Sequence, residues 1–102
     1  MADYVLTHKA VEDLSEIWAY TGKRWSGRQA ELYYTLLVTA CEELAKDPEK
    51  GKEYNEIADG IRGYGAGKHI LFYREMMRDK VQIIRILNGR MDLKSKMHEP
   101  ER

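Results

Sequence analysis

Ile70-Leu71-Phe72-Tyr73-Arg74, followed by Ile83-Ile84-Arg85-Ile86-Leu87-Asn88-Gly89-Arg90-Met91-Asp92, carries two strand signals in succession. Both runs are rich in β-branched and aromatic residues, which suit a pleated, half-buried surface. Lys68 to Glu75 therefore reads as one strand and Val81 to Leu87 as the next, with Met77-Arg78-Asp79 as the turn between them. Strict alternation along the second of these strands puts Val81, Ile83, Arg85 and Leu87 on one face and Ile84 and Ile86 on the other. An arginine among apolar neighbours needs a carboxylate. A partner protein or an aspartate of the chain would supply one, and Asp92 and Glu75 are the internal candidates.

Upstream of this hairpin, Ile61-Arg62-Gly63-Tyr64 reads as another strand and Gly65-Ala66-Gly67 as its turn, preceded by a polar stretch from Glu49 to Asp59. Further back the period changes from two to about 3.6. Val11, Leu14, Trp18 and Thr21 form one helical stripe, with Thr7 placed to cap the helix start. Ser26 and Gln29 have the spacing of a capping box. The helix they open carries Ala30, Tyr33, Leu37, Ala40 or Cys41, and Leu44 on one face and stops near Asp47, ahead of Pro48. Trp18, Trp25 and Tyr33 read as the packing layer of this helical hairpin. Tyr4-Val5-Leu6-Thr7 is a first short strand, residues 90–97 a short last helix, and the final five residues are expected to fray. The expected architecture is α+β in the order β-α-α-β-β-β: a small antiparallel sheet packed against a helical hairpin, with a short C-terminal helix.

At 102 residues the chain suits one domain, 1–102, with an ordered core over about 3–95. One cysteine, Cys41, cannot close an internal disulfide, and the start Met1-Ala2-Asp3-Tyr4 lacks the basic-then-apolar pattern of a secretory signal. No apolar run approaches the ~20 residues of a membrane span. A cytoplasmic protein without a membrane role is expected. Net charge is zero, but residues 1–60 sum to −5 and residues 61–96 to +6. A basic half attracts an acidic peptide or a phosphate backbone, and the same balance also suits an ordinary solvated sheet surface.

Several chemistries find no pattern. The glycines before Lys68 are not a phosphate loop, because Arg62 stands where the first glycine belongs and His69 where Ser or Thr should follow. His8, His69 and His98 are scattered, with no partner at metal-ligand spacing, so no metal and no cofactor is expected. No serine sits in a nucleophile-elbow pattern.

Three stretches in order, Ala10-x-x-Asp13-Leu14-x-x-Ile17-Trp18-x-Tyr20, then Gln29-Ala30 through Tyr33 to Leu44 with Asp47-Pro48 and Gly51, then the opening pair of strands, carry a family likeness. Over about residues 4 to 95 the chain resembles the ParE branch of the RelE/ParE toxin–antitoxin superfamily. Two positions depart from the common pattern: His8 stands where many members have a helix-starting proline, and Asn88 where many have histidine.

The resemblance implies the toxin of a bacterial type II toxin–antitoxin system that traps DNA gyrase on cleaved DNA and carries no catalysis of its own. It also implies a ParD-like antitoxin whose C-terminal arm wraps the toxin in a hetero-oligomer. No DNA binding by the chain alone is expected. For the antitoxin the candidate residues are Trp18, Tyr20, Trp25, Tyr34 and Leu37, where the core does not already claim them, with Arg74 and Arg85. For the target they are Arg90, Met91, Asp92 and Lys94. The RelE branch cuts messenger RNA on the ribosome, and the corresponding nuclease set here would be Lys68, His69, Arg85 and Arg90. Ile70 stands where such enzymes carry an arginine, and Ile70 cannot stabilise a phosphorane. A third reading is a non-toxic subunit that only holds antitoxin and regulates the operon.

Overall fold

The computed structural model describes residues 3–77 and 80–98. The expected turn at Arg78-Asp79 and most of the expected fraying at the end lie outside these residues.

Thr7 makes the first corner. It follows β1 (Asp3–Leu6) and caps α1 (His8–Arg24), its hydroxyl oxygen accepting from the Ala10 amide at 3.0 Å. A short connection through Trp25 leads to Ser26, whose hydroxyl caps α2 (Gly27–Lys46) by accepting from the Gln29 amide. Both caps satisfy orphan first-turn amides, as the sequence leads one to expect. Beyond α2 come β2 (Lys52–Glu53), β3 (Arg62–Ala66), β4 (His69–Met77), β5 (Lys80–Asn88) and α3 (Leu93–Met97).

The strands form one sheet in the order β1-β5-β4-β3-β2. From β5 to β2 it is antiparallel, and β1 joins the edge parallel to β5. The two-residue β2 lies inside the stretch read as polar loop. It is set by pairing with Gly63 and Arg62 rather than by any local preference. The two helices cover one face, burying Leu37, Leu44, Leu71, Tyr73, Val81, Ile83 and Ile86 in one core cluster. The opposite face, at Phe72 and Leu87, is covered by residues 54–61, through Ile57 and Ile61, and by α3.

Alternation along β5 does not run through. Phe72 faces Arg85 while Tyr73 faces Ile83, so Ile84 is an extra residue in the ladder. The bulge shifts the phase by one. Val81, Ile83 and Ile86 share the helix side, whereas Ile84 and Leu87 belong to the other cluster. Its backbone is met from the β1–α1 corner: Thr7 donates its amide to the Ile83 carbonyl at 3.0 Å and its hydroxyl to the Ile84 carbonyl at 2.7 Å.

The inner stripe of α1 also differs from the one expected. Ala10, Leu14 and Ile17 face the core, while Val11 and Trp18 remain 46% and 43% exposed. Trp25 is 67% exposed, so it is no part of a packing layer. Among the described residues no helix is long and apolar enough to cross a membrane.

Candidate functional site

Helical spacing puts Glu12 and Asp13, Glu16 and Ile17, and Tyr20 and Thr21 on one side of α1 in successive turns. This side forms one wall of a cleft of about 1230 Å³. The opposite wall comes from the β3–β4 turn (Gly67, Lys68, His69), the end of β5 (Arg85 to Asn88), Arg90, Met91 and Lys96. Trp25, Gln29 and Tyr33 also line it. The cleft therefore sets a helix wall of three acids and Lys9 against a wall that carries Lys68, Arg85, Arg90 and Lys96.

Tyr33 organises the turn. Its hydroxyl accepts from the Lys68 amide at 2.9 Å and lies 2.7 Å from His69 Nδ1. Having accepted from Lys68, the hydroxyl can give its own proton to Nδ1, which leaves the ring proton on Nε2. Burial pushes the His69 pKa down, against an opposing pull from Asp13, so the neutral ring is favoured. Gly67 takes φ 61°, and a Cβ there would stand 2.6 Å from the Tyr33 hydroxyl. Glycine is required on both counts.

Asp13 is the electrostatic centre. Arg85 donates Nε to Asp13 Oδ2 and Nη2 to Oδ1, both at 2.8 Å, and the Ile86 amide donates to Oδ2 at 3.0 Å. The two side chains are 8% and 11% exposed. Arg85 Nη1 donates to the Lys96 carbonyl at 2.6 Å. The partner of Arg85 is thus an internal acid, but neither Asp92 nor Glu75. Asp92 instead caps α3, with its carboxyl held below the usual range by hydrogen bonds from the Ser95 amide and hydroxyl. Asn88 shapes the turn after β5, its side-chain oxygen accepting from the Arg90 amide at 2.9 Å.

A second, smaller concavity of about 320 Å³ lies between β1, α1 and α2, lined by Leu6, Val11, Leu14, Ser15, Trp18 and Tyr34. Trp18 and Tyr34 meet edge to face there, with ring centroids 5.3 Å apart.

The structure divides the residues singled out in the sequence. Trp18 and Tyr34 come together in the apolar groove, while Tyr20 and Trp25 line the cleft instead. Leu37 is fully buried, so it supports the α1–α2 face from beneath rather than offering surface. Arg74 is exposed on β4 opposite Gln82, and neither concavity includes it. Arg85 is buried and held by Asp13, which removes it from the set of surface contacts. Lys68, His69, Arg85 and Arg90 do share the cleft, and Met91 joins them, whereas Asp92 and Lys94 stand outside it. Sequence reasoning missed Asp13 as the hub. The available signal was an acid set one turn beyond Ala10 and flanked by the inward-facing Leu14 and Ile17. Among the described residues no group of three or more His, Cys, Asp or Glu is placed to hold a metal ion.

A family model described as the ParE toxin of the type II toxin–antitoxin system parDE matches residues 4–93. Toxin ParE1 of Mycobacterium tuberculosis is 39% identical over 90 residues, covering 88% of this chain and 92% of that protein. Toxin ParE1 of Caulobacter vibrioides is 35% identical over 95 residues, covering 93% and 97%. A solved structure of a chromosomal ParDE TA system from P. aeruginosa is similar at a TM-score of 0.74 and 20% identity, over 86% of this chain and 96% of that one. At that identity the likeness speaks for the fold.

Proposed function

The chain belongs to the ParE toxin family of type II toxin–antitoxin systems, and on that premise we propose that it poisons DNA gyrase by binding. In this reading it traps the cleaved-DNA complex through the Arg90–Lys94 segment and is neutralised in the cytoplasm by a ParD-like antitoxin. The observation that carries the reading is the state of Arg85, whose guanidinium is spent on Asp13 by two 2.8 Å bonds. A phosphoryl-transfer site needs an unspent cation aimed at the developing charge and a base free to take a proton. Here Arg85 is neutralised by Asp13, and His69 Nδ1 is engaged by Tyr33. The cleft is equipped to bind more than to cut.

The antitoxin arm suits the apolar groove. Trp18 and Tyr34 offer aromatic anchors for an amphipathic helix, and the basic second half of the chain attracts acidic residues of the arm. The second reading, a ribosome-dependent endoribonuclease, is favoured by one observation, the convergence of Lys68, His69 and Arg90 on one cleft.

Purified, antitoxin-free protein given to two parallel assays separates the readings. Loss of gyrase supercoiling with linearised plasmid trapped, and messenger left whole, is the expected result. Codon-phased cuts in ribosome-bound messenger beside normal gyrase would reverse the assignment. Lys68→Ala and His69→Ala would then be the variants to lose activity.

A further inference from the structure

We infer that Asp13 and Arg85 form a strut that holds α3, and with it the Arg90–Lys94 segment, in the pose that meets the target. The pair are positioning residues: they act through α3 and do not touch the target. The inference rests on the proposed role of that segment.

The geometry is that of a three-way bracket. Asp13, on the α1 wall, fixes the guanidinium plane through both of its oxygens and is itself fixed by the Ile86 amide. The third corner of the fork, Nη1, reaches the Lys96 carbonyl at 2.6 Å. One planar group therefore joins α1, the bulge of β5 and the last turn of α3.

Without help α3 would not hold. It has five residues, far below the length at which a helix is stable alone, and its cap at Asp92 is exposed. Leu93 and Met97 pack only half-buried on the Phe72–Leu87 cluster. His98 Nε2 lies 2.8 Å from the Ile57 carbonyl. At its start the segment is tied by the Gly89 amide on the Lys68 carbonyl and by Asn88 on the Arg90 amide. At the far end Arg85 on the Lys96 carbonyl adds a second tie to that of His98.

Stability alone does not account for the pair. A buried ion pair adds little over apolar residues of the same volume, because both charges must be desolvated. What the forked guanidinium provides, and a lysine cannot, is three donors in one plane with fixed directions.

The test uses the full chain with Arg85→Lys. Lysine keeps the charge opposite Asp13, but its single nitrogen cannot also serve the Lys96 carbonyl. Three quantities are compared with wild type: tryptic cleavage after Lys94 and Lys96 relative to Lys46, gyrase poisoning, and antitoxin affinity. Losing a hydrogen bond from a charged donor should speed cleavage at Lys94 and Lys96 roughly tenfold or more, through local opening. Cleavage after Lys46 should stay unchanged, poisoning should fall by a similar factor, and antitoxin affinity should hold within about threefold.

Unchanged cleavage at Lys94 and Lys96 would overturn the strut, and faster cleavage with full poisoning would overturn its purpose. If Arg85→Lys opens Lys46 as well, Leu93→Ala with Met97→Ala releases α3 without touching the pair. That variant must then lose poisoning, and its retention would likewise overturn the proposal. Wild-type protein that leaves gyrase untouched would instead refute the gyrase reading, while the cleavage comparison still decides the strut.

Discussion

Tyr73 has no solvent-exposed surface, yet its hydroxyl is fully used: it donates to the Pro48 carbonyl at 2.6 Å and accepts from the Gly51 amide at 2.9 Å. Tyr73→Phe leaves both backbone groups without that partner and is expected to cost about 1–3 kcal/mol. Gly51→Ala should cost at least as much, because its Cβ would stand 2.6 Å from the same hydroxyl and 2.8 Å from the Gly63 carbonyl oxygen in β3. Urea unfolding measures both; a wild-type midpoint for Gly51→Ala would refute this account of the loop. His69 gives a pH prediction. Burial lowers its pKa from 6.5, so the unfolded chain takes up the proton first. The contribution of neutral His69 is whole above about pH 6.5 and is lost as pH falls through that value toward the lower folded pKa. His69→Gln should flatten the stability profile in this window. An identical pH slope in wild type and variant would mean that burial of the ring does not govern it.

At the scale of elements, the two helix starts differ in what their capping residues do. Ser26 caps α2 with one exposed bond, so Ser26→Ala should cost about 1 kcal/mol. Thr7 caps α1 and also donates to the carbonyl of the bulge residue Ile84, so Thr7→Ala should cost roughly 2 kcal/mol. Equal losses in thermal unfolding would show that the Thr7–Ile84 bond adds nothing. Both caps, both helices and the strands from β3 to β5 were legible in the sequence, because each is marked by local chemistry: a hydroxyl at the right spacing, a period of 3.6, or a β-branched run. Three features were not, and each is set by distant chain. The pair Lys52–Glu53 is a strand only because β3 lies beside it. The direction of β1 against β5 is fixed by the corner at Thr7, not by the content of β1. The bulge at Ile84 lies inside an unbroken apolar run, where no residue type announces a change of phase.

For the whole molecule, the fold separates two surfaces that the sequence mixed. Trp18, Tyr20, Trp25 and Tyr34 all read as aromatic anchors, but the angles of Trp18, Tyr20 and Tyr34 about their helices and the place of Trp25 in the connection divide them, two in the small groove and two in the cleft. Periodicity gives the angle of a residue about its helix, not what stands opposite, so this division was not legible. Lys68, His69, Arg85 and Arg90 were grouped in the sequence only as what a nuclease would need, and they line one cleft; the neutralisation of Arg85 by Asp13 was not legible, since 72 residues separate them. The separation has a consequence for function. Trp18 is half-exposed against Tyr34, so Trp18→Ala removes an aromatic anchor from the groove and should weaken antitoxin binding by about 2 kcal/mol, roughly thirtyfold, with gyrase poisoning retained. Arg90 lines the cleft and not that groove, exposed on the turn that Asn88 shapes, with its side chain making no ion pair among the described residues. Its truncation disturbs no core contact, so Arg90→Ala should abolish poisoning while antitoxin affinity stays within about threefold. Titration calorimetry with the antitoxin arm, read beside supercoiling on the same two variants, gives a two-by-two pattern. If Arg90→Ala costs antitoxin affinity as much as it costs poisoning, one continuous surface serves both partners, and the antitoxin neutralises by covering the target site rather than by gripping the groove alone.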